Sequence, residues 1–507
     1  MQAQELRQAV HDCRSRALYA SAKWAATALC GLPEEEVMVS SQAAAAAPPS
    51  GSAAFELARS FFDLKEYRSA AHALRDSRDQ LSLFLRGYAT YLAGEKRKEE
   101  ERIESKAAGE AAAAANTELD GLEGELQALV AAGQADGFLL YLLGLVLADR
   151  EKKEEARQAL AASVTAYPCN WSAWLALQSV CADLAAVGQL PLPDHFMRRF
   201  FLASLCVDMH HNAEALQHLQ GLSDEFPRGE AVILLAALAH YNLQNFDEAQ
   251  ELFEGLLLRD PHRIEGMDIY SNILYVKEEF AALSALAHRC AGADKYRPET
   301  CCVIGNYYSL RGMHERAVQY FRRALRLNPA YLAAWTLMGH EFVELKNPPA
   351  AIEAYRHAVD VNPRDYRAWY GLGQTYELVN MPYYALYYFR RAVQLRPHDA
   401  RMWNAMGHCY QQEQLGLLDA AIRCHRRALP YDKEGDGGDL EAAERYYTRL
   451  LDFGAGSKEA AKSSLREIRT LKAAGVAPRG PAGLTPVRPD SPPDSPGSDM
   501  MAGMSPY

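Results

Sequence analysis

Five prolines stand on one 34-residue ruler: Pro227, Pro261, Pro329, Pro363 and Pro397, interrupted only by Lys295. Proline is about one residue in twenty of an ordinary chain, so four further hits in five slots is an event of order one in 10⁴ to 10⁵. Such a period means one supersecondary unit repeated, each too small to bury its own apolar face. That constrains the fold more than any composition does. Repeated units stack into an array, and arrays bind partners more often than they carry out reactions.

The residues between the prolines agree. Residues 332–365 place Trp335, Met338, Gly339, Phe342, Ala351, Tyr355 and Ala358 ahead of Pro363, and 366–399 repeat this as Trp369, Leu372, Gly373, Tyr376, Ala385, Phe389, Ala392 and Pro397. Steps of three and four line one face of a first helix, and the small residues let a second helix approach it. The proline, lacking an amide donor, ends that second helix. This is the tetratricopeptide repeat, and it predicts an all-α superhelical solenoid. The register extends to 298–331 (Cys301, Gly305, Phe321), to 230–263 (Ala249, Phe253), to 196–229 (Ala215, Leu219) and to 137–170 (Gly144, Leu160, Pro168). Residues 264–297 keep the length and lose most markers. Trp174 and Leu177 open a unit broken by the loop 188–193. Trp403, Met406, Gly407 and Tyr410 begin one whose Ala421 and Ala428 fall two residues late. About nine repeats are expected over 137–433.

Around that array the chain reads as a helical pair at 1–40, a small-residue linker at 41–54, and a helical or repeat region at 55–136. Terminal helices are expected at 434–474. Residues 475–507, rich in Pro, Gly, Ser and Asp, are too poor in large apolar residues to fold and are expected to be a disordered tail. In that tail Thr485, Ser491, Ser495 and Ser505 each precede a proline, which makes them possible phosphorylation sites, although such a composition produces these pairs by itself. Lys96-Arg97-Lys98 could be read as a nuclear signal, but its flanking glutamates favour a solvated helix.

The net charge of −11 over 507 residues makes nucleic acid and anionic membranes poor partners. No apolar run is long enough to span a bilayer, and Met1–Val10 lacks the apolar stretch of a signal peptide. The ten cysteines contain no Cys-x-x-Cys pair and read as reduced, buried, small apolar residues. Catalytic signals are missing. Gly371-Leu-Gly373 lacks the third glycine of a dinucleotide loop, His210-His211 has no ligand partner at metal spacing, and Cys301 fills the slot that tryptophan holds elsewhere. No catalytic residue, cofactor or metal site is expected, and the chain is read as a non-enzyme.

More specific sequence lies on top of the repeats. Glu5-Leu-Arg-Gln-Ala, Ala20-Ser-Ala-Lys-Trp-Ala-Ala26, Phe62-Asp-Leu-Lys-Glu-Tyr-Arg-Ser-Ala-Ala-His72, Trp335-Thr-Leu-Met-Gly-His-Glu-Phe-Val-Glu344 and Gly373-Gln-Thr-Tyr-Glu377 exceed what a generic repeat requires. Over about 5–428 the chain resembles the anaphase-promoting complex subunit 8 family, the cell division cycle protein 23 homologues; from Pro430 onward it departs and reads shorter. The resemblance implies a scaffold subunit, itself non-catalytic, of a ubiquitin ligase that drives the cell cycle through mitosis. It further implies a homodimer formed through the N-terminal repeats, contacts with other subunits, a location in nucleus and cytoplasm, and a C-terminal groove for an activator motif built around Asp-Arg-Tyr-Ile-Pro.

The repeats locate a groove without that resemblance. Slots five, nine and twelve of the first helices give Asn306, Thr336, His340, Tyr370, Gln374, Glu377, Asn404 and His408, with Glu341 and Glu344 beside them. Amides suit an extended peptide backbone, and carboxylates suit an arginine on it. Glu377 is the preferred anchor, and Arg390 is expected on the opposite, convex side as a neutral control. Two other classes carry such repeats. A glycosyltransferase needs a nucleotide-sugar domain, for which the residues after 433 leave no room. A generic adaptor or co-chaperone gripping a carboxylate needs a basic clamp, whereas this stripe reads neutral to acidic.

Overall fold

The computed structural model describes residues 2–33, 52–108, 115–181, 184–412, 414–415, 417–428 and 466, and all regular structure among them is α-helical. The expected tail, its four phosphorylation candidates and, apart from residue 466, the terminal segment 434–474 lie outside the described residues. The chain divides into two compact units, 1–295 and 296–507.

The first unit opens with α1 (Gln2–Ser15), α2 (Tyr19–Gly31), α3 (Ala53–Asp63), α4 (Tyr67–Ala73), α5 (Gln80–Ala108) and α6 (Leu119–Ala131). The repeats follow as α7 (Gly137–Asp149) with α8 (Lys153–Ala166), α9 (Trp171–Val180) with the short α10 (Leu184–Gly188), and α11 (Phe196–Asp208) with α12 (Asn212–Glu225). After them come α13 (Glu230–Asn242) with α14 (Phe246–Arg259) and α15 (Met267–Val276) with α16 (Phe280–Ala293). The stretch 188–193 does cut one repeat short: α10 has five residues, and Leu190 and Leu192 pack on the core where a longer helix would lie. Lys96-Arg97-Lys98 sits inside α5, with Lys98 on Glu95 at 3.2 Å and Arg102 on Glu99 at 2.8 Å, the intrahelical pairing of a solvated helix.

The N-terminal pair is not a separate appendage. Trp24 of α2 stacks on Trp171 of α9 at 4.7 Å and meets Phe200 of α11 edge-on at 5.1 Å. The Arg228 N–H donates to the Gly31 carbonyl at 3.2 Å, and a Cβ on Gly31 would stand 2.8 Å from the Gly229 Cα. In the turn after α1, Arg16 pairs with Asp136 at 3.1 Å, and within α1 Asp12 accepts from the Tyr167 hydroxyl at 2.9 Å. The first helices α9, α11 and α13 therefore have α2 against them.

The second unit stacks α17 (Pro298–Leu310) with α18 (His314–Leu327), α19 (Leu332–Glu344) with α20 (Pro348–Val361), α21 (Tyr366–Leu378) with α22 (Pro382–Leu395), and α23 (Ala400–Gln411) with α24 (Leu418–Ala428). Inside each pair a glycine of the first helix receives an aromatic ring of the second. A Cβ on Gly305, Gly339, Gly373 or Gly407 would lie 2.4–2.5 Å from Phe321, Tyr355, Phe389 or His425. The spacing is sixteen residues in three cases and eighteen in the last, which accounts for the late alanines. Between successive repeats a guanidinium meets an aromatic: Arg356 donates to the Tyr376 hydroxyl at 2.9 Å and Arg390 to that of Tyr410 at 2.8 Å. Arg390 is thus no neutral control, because it joins one repeat to the next.

Nine of the ten cysteines are buried; Cys30 is exposed, against expectation. Among the described residues no helix is long and apolar enough to cross a membrane.

Candidate functional site

Slot nine of three successive first helices puts His340, Gln374 and His408 on the exposed face of α19, α21 and α23. Tyr370, Glu377 and Asn404 are half-buried beside them, and Glu344 is exposed. The remaining three candidates do not join this face. Asn306, Thr336 and Glu341 are each 5 % exposed or less. The Thr336 hydroxyl turns back to the Leu332 carbonyl at 3.3 Å. Glu341 accepts from the Ser309 hydroxyl at 2.6 Å and meets His314 Nδ1 at 2.8 Å. Its carboxylate serves the junction with the preceding repeat, which corrects its reading as an alternate peptide anchor. Burial raises the pKa of Glu341, and Ser309 and His314 oppose that rise.

The exposed face carries both signs of charge. Burial raises the pKa of Glu377, while the His408 charge acts in the opposite sense. His340 is hydrogen-bonded through Nδ1 to the Tyr355 hydroxyl at 2.8 Å. The protein packed around it, and then Arg367, push its imidazole down to about 4. Tyr370 lies on Phe389 with ring centres 5.5 Å apart, close enough to Arg401 to feel its charge. Asn404 Oδ1 is already engaged by His425 Nδ1 at 3.1 Å.

Arg367 and Arg401 stand at slot two of their repeats, outside the three slots that the repeat pattern assigns to the groove. Asp365 and Asp399 cap α21 and α23 by accepting from the backbone N–H of these arginines at 3.1 Å. Asp399 also holds the Arg401 guanidinium at 3.1 Å. The recurrence of Asp-x-Arg at 365–367 and 399–401 was the available signal. The stripe is therefore mixed and not neutral to acidic. It offers two amides, two carboxylates, two imidazoles and two guanidiniums to an extended peptide bearing both charges.

One cluster has the composition of a metal centre: Glu5, Cys169 and His195 in the first unit, whose ligand atoms lie within 4.8 Å of one another. The Met197 N–H donates to His195 Nδ1 at 3.2 Å, so neutral His195 carries its proton on Nε2, facing Glu5 at 3.2 Å. A metal-bound histidine instead donates from its outer nitrogen. Burial and Glu5 push the Cys169 thiol up to about 12. The cluster is better described as a hydrogen bond joining α1 to the start of α11.

The sequence model described as anaphase promoting complex subunit 8 / Cdc23 matches residues 2–237, and tetratricopeptide-repeat models match 231–262, 298–331 and 336–379. The 298–331 limits coincide with the register read from the prolines. Anaphase-promoting complex subunit 8 of Arabidopsis thaliana is 46% identical over 554 residues, covering 92% of this chain and 96% of the relative. That is wider than the 5–428 stretch read from sequence. The Dictyostelium discoideum subunit 8 is 41% identical over 406 residues (68% and 69%), and the human cell division cycle protein 23 homolog 43% over 278 (54% and 47%). A solved structure of the Cut9–Hcn1 hetero-tetramer aligns with TM-score 0.47 at 16% identity, covering 91% of this chain and 95% of that one.

Proposed function

The chain belongs to the anaphase-promoting complex subunit 8 / Cdc23 family, and from that premise we propose that it is a non-catalytic scaffold subunit of the anaphase-promoting complex in the nucleus and cytoplasm. In this reading it pairs as a homodimer, holds other subunits of the complex, and docks the activator's N-terminal motif on α19, α21 and α23. The observation that carries the docking site is the row His340, Gln374 and His408 with Glu377 at its side and Arg367 and Arg401 along it. Glu377 takes the arginine of Asp-Arg-Tyr-Ile-Pro, one of the two arginines takes the aspartate, and Gln374 holds backbone.

Peptide titration tests this. Glu377→Lys should weaken binding of the Asp-Arg-Tyr-Ile-Pro peptide roughly ten- to a hundredfold, the cost of about 1.5–3 kcal/mol for one lost charge-assisted contact. Glu353→Lys, on the exposed side of α20, should bind like the parent. Equal binding by both variants removes the groove assignment and leaves the scaffold reading standing. Light scattering tests the dimer, since a mass near 56.3 kDa at micromolar concentration would contradict it.

Arg367 and Arg401 also favour a second reading, an adaptor that grips a carboxylate. An amidated C-terminus would abolish adaptor binding and leave activator-motif binding unchanged.

A further inference from the structure

The second helices of the second unit hold a basic and aromatic surface that the groove does not use and the packing uses only in part, since Tyr383 donates to the Gln414 carbonyl at 3.3 Å and Arg391 to Gln394 Oε1 at 3.3 Å. Helices α18, α20, α22 and α24 carry ten arginines, no lysine and four carboxylates, in a chain whose net charge is −11. Arg322, Arg356 and Arg390 lie against Phe342, Tyr376 and Tyr410 of the following repeat. Arg326, Arg391, Arg423 and Arg426 are exposed. The ion pairs Arg297–Glu299, His314–Glu341, Arg396–Asp399 and Arg401–Asp399 of this unit use none of these four. Beside them α22 exposes Tyr383 (60%) and Tyr387 (52%), the last residue of α21 exposes Leu378 (67%), and the turn before α22 exposes Met381 (46%).

A merely solvated basic face has no reason to exclude lysine, whose ammonium is the more strongly hydrated cation. Arginine, tyrosine and methionine together, with lysine depleted, are the composition of protein interfaces. Guanidinium forks match carboxylates bidentately. We propose that this helix face docks an acidic segment of another protein, its carboxylates on Arg326, Arg391 and Arg426 and an apolar side chain on Tyr383 and Tyr387. The surface lies on the second helices, whereas the proposed activator site lies on the first.

The test uses the full-length chain and a fluorescein-labelled peptide of Glu-Asp-Leu-Glu repeats, followed by anisotropy at stepped salt. The parent should bind with an affinity that falls as salt rises. The triple variant Arg326→Glu/Arg391→Glu/Arg426→Glu should bind roughly tenfold weaker or worse, with helicity unchanged by circular dichroism. If that variant misfolds, Arg391→Gln with Tyr387→Ser should still weaken binding. Failure of the parent to bind, or equal binding by the charge-reversed chain, overturns the proposal. Tighter binding of a short duplex DNA than of the peptide overturns it too, because the face would then serve nucleic acid.

Discussion

The Trp369 indole Nε1 donates to the Pro363 carbonyl at 2.8 Å. The same bond joins Trp335 to Pro329 at 2.9 Å, Trp403 to Pro397 at 2.8 Å and, in the first unit, Trp174 to Pro168 at 2.7 Å. The proline stops a second helix and leaves its own carbonyl outside the helical ladder. The indole six residues later supplies the missing donor and ties the next first helix to that stop. Lys295 and Cys301 lose both partners together, at the one break in the proline series. Trp369→Phe should cost about 1 kcal/mol for the bond alone, read as a lower midpoint in urea with unchanged slope.

Glycine has opposite meanings at two helical positions. A Cβ on Gly373 would meet Phe389 at 2.5 Å, whereas one on Gly255 meets nothing within 4 Å. Gly373→Ala should destabilise by about 1–3 kcal/mol through overpacking. Gly255→Ala should stabilise by about 0.5–1 kcal/mol, since only the helix propensity changes. Thermal melts of the two variants should move in opposite directions.

The turn between first and second helices holds a left-handed residue in six successive repeats: His210, Gln244, Glu278, Gly312, Lys346 and Asn380, each 34 residues from the next. Only one is glycine. A side chain there costs about 1–2 kcal/mol, so Lys346→Gly should gain about 1 kcal/mol net of the extra chain entropy it releases on unfolding. Chemical denaturation that shows a loss would mean the Lys346 side chain makes a compensating contact.

Burial, and then His408, push the His425 imidazole down to about 4. A histidine whose folded pKa is depressed binds its proton more readily when unfolded. Stability is therefore full above the unfolded value of about 6.5 and falls as pH drops towards 4, by at most about 3 kcal/mol. His425→Phe restores the aromatic that faces the equivalent glycine in three other repeats. It should reduce the slope of melting temperature against pH between about 6.5 and 4 without abolishing it, because His340 keeps its own depressed value, and an unchanged acid slope would clear His425 of this role.

If Glu377 takes the activator's arginine, binding should weaken on acidification sooner than an unperturbed glutamate would allow, because its pKa is raised. Glu377→Gln should bind weakly at every pH and lose that slope. A parallel slope in parent and variant would move the titrating group elsewhere.

Gln374 and Glu341 show where reading the sequence works and where it stops. The period of the helix puts Gln374 in slot nine and Glu341 beside the same stripe. Gln374 is on the exposed face, while Glu341, one residue past its slot, reaches Ser309 and His314 of the preceding repeat. Helical phase is a local property, but whether a polar side chain at the rim faces solvent depends on what the neighbouring repeat brings to it. Arg367 and Arg401 are legible as a repeated Asp-x-Arg. The left-handed turn residues were not legible at all, because their identities vary while the backbone path imposes the conformation.

The sequence by itself determined the helices, their pairing within each repeat, the small residues at which the paired helices approach and the proline stops. All of these follow from side-chain period and steric limits acting over a few tens of residues. Only the tertiary structure decided that Trp24 and Gly31 bring α2 against the first helices of the first unit. It also decided that Arg390 joins two repeats and that Glu341 is spent within the stack. Those outcomes depend on which surfaces meet across large sequence separations, where burial and hydrogen-bond satisfaction choose among faces that look alike in the chain.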